Sequence, residues 1–253
     1  MKRLAALLIC LFWAAGAQAG LTPAELADVA VSPPPGARLD LGLTAPDTAG
    51  ATRTVGGILG GRPAFFTFVD YTCTTLCGTS LALLAAALEH SELAPSDYRI
   101  VVMGLDPKDP AQAAMTMAAR EIPDRLRAAA VFLLPDRDTL ARATAMLGFH
   151  YAYDAASDQF AHPSAVYAIA SDGSVRSVLS PFALTTQDIA SALAAPRGTG
   201  LYDRVRLLCY GLDPLHGVYT GRIADILRIA GALTVVLLVS AVALLAIRAR
   251  RAR

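Results

Sequence analysis

Charge is sparse in this chain and almost evenly balanced. Charged residues make up 17% of its 253 positions, with 22 Lys and Arg against 21 Asp and Glu and a formal net charge of +1. Nucleic-acid binding rests on a surplus of basic residues that neutralises phosphates, and this composition has none to offer. No nucleic-acid partner is expected. Histidine and cysteine are scarce too, with four of each, so the candidates for metal or redox chemistry can be taken one at a time. No internal repeat is visible.

What the chain has in plenty is apolar sequence, and much of it lies at the two ends. Met1-Lys2-Arg3 is a basic start, Leu4 to Ala15 an apolar run, and Ala17-Gln18-Ala19-Gly20 a small-x-small cleavage pattern. Residues 1–19 therefore read as a signal peptide cut after Ala19. The apolar run is too short to span a bilayer comfortably. Residues 229–247 carry no charge and approach the roughly 20 residues of a spanning helix. Arg248, Arg250, Arg251 and Arg253 follow at once, in a basic tail of residues 248–253. The positive-inside rule puts that tail in the cytoplasm. Both ends give one topology: a single-pass protein of the bacterial inner membrane with its globular part in the periplasm. Between them, residues 20–40 form an extended, proline-rich entry, 41–196 one domain, and 197–228 a juxtamembrane linker.

Cys10 leaves with the signal peptide and Cys209 falls in the linker, so Cys73 and Cys77 are the pair to explain. They lie in Tyr71-Thr72-Cys73-Thr74-Thr75-Leu76-Cys77-Gly78. Ahead of them Ala64 to Val69 reads as a buried strand; after them Ser80 to Leu88 reads as a helix. Two thiols at a strand-to-helix turn can close on a soft metal ion or on each other, and a helix start favours the thiolate that either chemistry uses. In an oxidising compartment such a pair is a disulfide, a redox couple or a metal site. Three intervening residues, rather than two, favour holding a metal.

Further strands are expected over Tyr98–Leu105, Ala129–Leu134, Ser164–Ala170 and Val175–Leu179, with a short one at Thr52–Val55. Helices are expected over Ala111–Arg120, Asp138–Leu147 (stopped by Gly148) and Thr185–Leu193. Asp172-Gly173 is a hairpin turn. Gly56 to Pro63 reads as a glycine-rich lead into the first long strand, and Asp106 to Pro110 as a loop and helix start. Strands alternating with helices and closing with a hairpin and a helix give a thioredoxin-like α/β domain. Its mixed central sheet is flanked by helices, and one C-terminal transmembrane helix follows.

In that architecture the loop before the fourth strand faces the cysteine turn. His162, in Phe160-Ala161-His162-Pro163, occupies it and can complete a two-sulfur, one-nitrogen site. Pro163 is the candidate for the cis-proline that thioredoxins carry there. His90 ends a helix and His150 lies in a loop near tyrosines, and neither points to chemistry. Cys209 and His216 could form an auxiliary site near the membrane; a linker packing its tyrosines is the plainer reading.

The run Phe68 to Cys77 resembles the Sco/SenC family of copper-binding proteins. Its Cys-x3-Cys turn, the Leu105-Asp106-Pro107 segment and a distal histidine at position 162 all match. The resemblance covers about Leu41 to Leu193. It implies copper, as Cu(I) or Cu(II), held by Cys73, Cys77 and His162, with second-sphere places for Asp70 and Asp106. It also implies a client: a copper subunit of membrane-bound cytochrome c oxidase, or another copper protein, that receives the metal during assembly. The implied role is a metallochaperone rather than an enzyme. The alternative is a thiol:disulfide oxidoreductase that keeps a client's cysteines reduced, with Cys73 attacking and Cys77 resolving. A metal-free assembly factor with a structural disulfide is a further reading. A peroxidase is disfavoured, because no Thr-x-x-Cys arrangement here carries the preceding proline that such enzymes have around the nucleophile. Three features depart from the family pattern: Gly78 stands in place of proline, the anchor is C-terminal, and proline follows the histidine.

Overall fold

The computed structural model describes residues 21–73, 77–193, 229–235 and 237–238. The first described element is α1 (Pro23–Ala27), capped by Thr22 in a capping box with Glu25. Strands β1 (Ala30–Val31), β2 (Thr44–Pro46) and β3 (Thr52–Thr54) follow, then α2 (Val55–Leu59) and β4 (Ala64–Val69). Next come α3 (Cys77–Glu89), β5 (Arg99–Gly104), α4 (Ala111–Glu121), α5 (Asp124–Arg127) and β6 (Ala130–Leu133). The rest is α6 (Arg137–Leu147), β7 (Phe149–His150), β8 (Ala152–Asp154), β9 (Gln159–Ala161), β10 (Val166–Ile169), β11 (Val175–Leu179), a 3-10 turn at Pro181–Ala183 and α7 (Thr186–Ala192).

The central sheet runs β11-β10-β4-β5-β6. It is mixed, as expected: β4, β5 and β6 are parallel, while β10 is antiparallel to β4 and β11 antiparallel to β10. All six residues of β4 are buried, because helices and loops cover both faces of the sheet. Alternation along β4 sends Phe66 and Phe68 to one face, with Leu140, Leu147 and Phe149, and Phe65 and Val69 to the other, with Leu81, Leu84 and Leu88 of α3. Each of these buried side chains contributes about 2 kcal/mol of hydrophobic stabilisation. The two apolar layers thus fix which way α3 faces, and with it the cysteine at its first position.

Gly148 ends α6 in the left-handed conformation (φ 59°), and Gly173 makes the β10–β11 turn at φ 87°, as expected. Asp136 is the residue that caps α6, accepting from the Thr139 amide, and Thr185 caps α7 in a capping box with Asp188. Four expectations need correction. The proline-rich entry is not extended throughout, since Thr22 and Glu25 satisfy enough end groups to stabilise one helical turn. The glycine-rich lead into β4 contains α2, started by a Thr54 cap and buried through Val55, Ile58 and Leu59. His150 belongs to β7 and pairs with Ala30 of β1 rather than lying in a loop. Pro163 is trans, for there is no cis peptide bond among the described residues.

The signal-peptide segment, the linker with Cys209 and His216, and the basic tail lie outside the described residues. Of the expected membrane segment, 229–235 and 237–238 are helical, with Ile229, Leu233, Val235, Leu237 and Leu238 exposed. Among the described residues no helix is long and apolar enough to cross a membrane.

Candidate metal centre at the cysteine turn

β4 delivers the chain to the cysteine turn, and its last residues are pinned from several sides. Asp70 is buried and accepts from both the amide and the hydroxyl of Thr72, each at 2.9 Å. The Tyr71 hydroxyl reaches the carbonyls of Val102 at 3.0 Å and Leu133 at 2.8 Å, across two neighbouring strands. Its ring passes so close to Gly104 that a Cβ there would lie 2.8 Å from Tyr71 Cε2. The Tyr71 amide donates to the Asp109 carboxylate at 3.0 Å. The loop after β5 therefore grips the loop that carries Cys73.

Cys77 opens α3 and is buried; Cys73 is half-buried and closer to solvent. Both are thiols rather than a disulfide. The Cys77 thiol is pushed far above the ordinary cysteine range, first by its hydrogen bond with Cys73 and then by burial; a bond from the Asp70 amide opposes this. The expectation that the helix start favours a thiolate fails at Cys77. A half-unit of helix charge cannot offset loss of water together with a second sulfur at hand.

His162 comes to the pair from the opposite side. Its Nε2 lies 3.0 Å from Cys77 Sγ, and its Nδ1 lies 3.0 Å from the Pro163 carbonyl oxygen. A carbonyl oxygen only accepts, so Nδ1 carries the proton in the neutral ring. Nε2 then faces the Cys77 sulfur with a lone pair. This orientation, with the far nitrogen tied to a backbone carbonyl, is the one that metal-binding imidazoles use. Burial pushes the His162 pKa down, which keeps the ring neutral, while Pro163, Cys73 and Asp70 oppose that shift. The following segment is anchored by Thr67 of β4, whose hydroxyl donates to the Ala165 carbonyl at 2.9 Å, and by a 3.1 Å hydroxyl contact between Ser164 and Ser80 of α3.

The structure thus joins the three residues singled out in the sequence in a chain of contacts, Cys73 to Cys77 to His162. Among the described residues, no group of three or more His, Cys, Asp or Glu side chains converges on one point that could hold a metal ion. At 3.0 Å the sulfur and nitrogen stand too close to hold an ion between them. Metal–sulfur and metal–nitrogen bonds of about 2.3 and 2.0 Å require those atoms to part a little. The donor types fit a soft metal: two sulfurs and a neutral imidazole with its lone pair turned inward.

Of the suggested second-sphere residues, Asp70 shapes the cysteine loop, while Asp106 accepts from the Lys108 amide at 2.8 Å. Gly78, where the family pattern has proline, lies in the first turn of α3. It is buried under the Arg120–Glu121 ion pair, and a Cβ there would lie 2.6 Å from Glu121 Oε1 and 2.8 Å from Arg120 Nη2. His90 Nδ1 reaches the carbonyl of Ala86, one helical turn back. Sequence reasoning passed over Thr67, Ser164 and Asp109. The Asp-Pro-Lys-Asp-Pro loop was a visible signal for Asp109; nothing local marks the other two.

The fold and this turn define a thioredoxin-like protein with a dithiol and a histidine gathered beyond the end of β4. The sequence profile of SCO1/SenC matches residues 43–196, and the chain belongs to that family. Solved structures with the same fold include a SCO1/SenC family lipoprotein from Bacillus anthracis (18% identity, 64% of this chain and 97% of that one, TM-score 0.53). Yeast Sco1 with copper bound is similar at 14% identity, over 68% of this chain and 95% of that one, with a TM-score of 0.52. Copper-bound ScoI of Bradyrhizobium japonicum is similar at 19% identity, over 60% and 94%, with a TM-score of 0.51. No curated protein sequence matches the chain.

Proposed function

We propose that this protein is a copper metallochaperone held at the bacterial inner membrane by its C-terminal segment, with its domain in the periplasm. Copper is its cargo. Cys73 and Cys77 supply soft thiolates, which suit Cu(I), and His162 adds a nitrogen that also suits Cu(II). The observation that carries this reading is the 3.0 Å approach of His162 Nε2 to Cys77 Sγ, with Nδ1 already committed to a carbonyl. Copper binding by two solved relatives supports it.

Loading exchanges protons for metal, since a thiol must lose its proton to bind. Three ligands leave a position open. A client thiolate can enter there, and the ion then passes by ligand exchange without release to solvent. The client is a copper-containing subunit of cytochrome c oxidase, or another copper protein in the same membrane. Sharing that membrane raises the effective concentration of the two partners.

A second reading rests on the contact between the two thiols. Cys73, the more exposed, attacks a client disulfide, releasing one client thiol and forming a mixed disulfide; Cys77 then attacks Cys73 Sγ and expels the second client thiol. Two electrons pass to the client, and a Cys73–Cys77 disulfide remains.

Copper bound per reduced chain separates the two. About one equivalent in the wild type, lost in each of Cys73→Ala, Cys77→Ala and His162→Ala, is the expected result. No copper in the wild type, or full copper in His162→Ala, would sink the three-ligand reading. A Cys77→Ser protein that traps a client disulfide through Cys73 would move the assignment to thiol exchange.

A further inference from the structure

His162 follows a hairpin that the central sheet does not hold. Among the described residues β8 and β9 pair only with each other, through three residue pairs from Ala152↔Ala161 to Asp154↔Gln159. A two-stranded ribbon this short is marginal in water. Its base is packed by aromatics: Tyr151 and Phe160 have ring centroids 5.8 Å apart, and Phe149 lies 6.1 Å from the His162 ring. Its tip is exposed. There Asp158 sits at φ 51° and accepts from the Tyr153 hydroxyl.

The side chain of Lys108 ties that tip to the body. Lys108 Nζ lies 3.3 Å from Asp158 Oδ1, 3.4 Å from Asp106 Oδ2 and 5.4 Å from the centre of the Tyr153 ring. Lys108 belongs to the loop after β5, in which Asp109 holds the Tyr71 amide. The loop that steadies the cysteines is therefore joined, through Lys108, to the hairpin that precedes the histidine. The bond from the Lys108 amide to Asp106 Oδ1 fixes the loop locally.

We propose that Lys108 is a positioning residue that holds the β8–β9 hairpin closed and so sets how long His162 stays at Cys77, an inference that builds on the copper reading above. Ion pairs this exposed are weak and screened by salt. The tie is strong enough to bias the hairpin and weak enough to open. When it opens, His162 leaves while the two sulfurs keep the ion, and the vacated position faces the incoming client. Opening of the hairpin, rather than loss of a cysteine, is then the step that admits the client.

The test uses the full chain and Lys108→Met, which keeps the length and loses the charge, with Lys108→Arg as the conservative rescue. In copper-free protein, amide hydrogen exchange over residues 152–161 should rise about threefold or more in Lys108→Met and stay near wild type in Lys108→Arg. About 0.5 M sodium chloride should speed wild-type exchange toward that of Lys108→Met and leave the variant nearly unchanged. In loaded protein, release of copper to a Cu(I)-chelating dye should quicken by a similar factor at unchanged stoichiometry. Exchange and release in Lys108→Met that match wild type would overturn the proposal. A wild-type chain that binds no copper would remove the functional reading, and the exchange arm would still decide whether Lys108 closes the hairpin.

Discussion

The hydroxyl of Thr67, in the middle of β4, donates to the carbonyl oxygen of Ala165, 98 positions later and three residues past His162. Both residues are buried. Thr67→Val keeps the shape and deletes the donor, so it should cost about 1–2 kcal/mol and loosen the approach of His162 to Cys77. Urea denaturation and copper affinity measured on one preparation check both effects. A loss below about 0.5 kcal/mol, with unchanged affinity, would show that the hydroxyl does not anchor the histidine segment.

Tyr71 serves the other half of the site in the same way. Its hydroxyl is buried against the carbonyls of Val102 and Leu133. Tyr71→Phe should lower stability by about 1–2 kcal/mol, and thermal unfolding reads it directly. Burial holds the Tyr71 phenol well above its ordinary range, so the ring should not ionise in a spectroscopic titration until the fold is lost.

Among the described glycines, Gly148 is the one least able to carry a side chain. Its φ is 59°, and a Cβ would lie 2.0 Å from the Ser32 carbonyl oxygen. The Ser32 amide donates to the Gly148 carbonyl at 2.7 Å, so the two segments cannot separate cheaply. Gly148→Ala should cost about 3 kcal/mol or more. A drop in melting temperature of only a degree or two would show that the entry segment yields instead.

Asp109 should give the stability curve a distinct slope. Burial raises its carboxyl to about 6 from an ordinary 3.8, with Tyr71 and Thr72 opposing and Asp70 and Asp106 adding to the rise. The folded state thus binds this proton more tightly than the unfolded state. The contribution is most favourable below about pH 4, declines as pH rises to about 6 and is flat above that. Asp109→Asn still accepts from the Tyr71 amide and cannot ionise. The difference in stability between variant and wild type should therefore grow in favour of the variant between pH 4 and 6. A difference independent of pH over that window would show that Asp109 is not the group responsible. Asp172, lowered to about 2 by Ser174 and Arg38, acts below this range with the opposite sign.

Much of the fold was readable because its signals are local. The apolar run Ala64–Val69, the Gly148 stop and the Asp172-Gly173 turn each depend on a few neighbouring residues, and each stands where expected. Failures came where short elements are stabilised from outside. One turn of α1 owes its existence to a capping box, α2 to burial of Val55, Ile58 and Leu59, and β7 to pairing with β1 over 100 positions away. The helix start suggested a thiolate at the cysteine turn. The protein instead surrounds the Cys77 sulfur with apolar side chains and a second sulfur, and its thiol pKa rises.

By itself the sequence determined the order of the long strands and helices, the pairing of Cys73 with Cys77 at a strand-to-helix turn, and His162 as the candidate to face them. Those follow from hydrophobic period, turn chemistry and the few soft ligands available. Tertiary structure alone decided that His162 presents Nε2 to Cys77, that Thr67 and Ser80 hold its segment, and that Lys108 spans from the cysteine side to the hairpin. These contacts join residues tens of positions apart, and their distances exist only once both faces of the sheet have been packed.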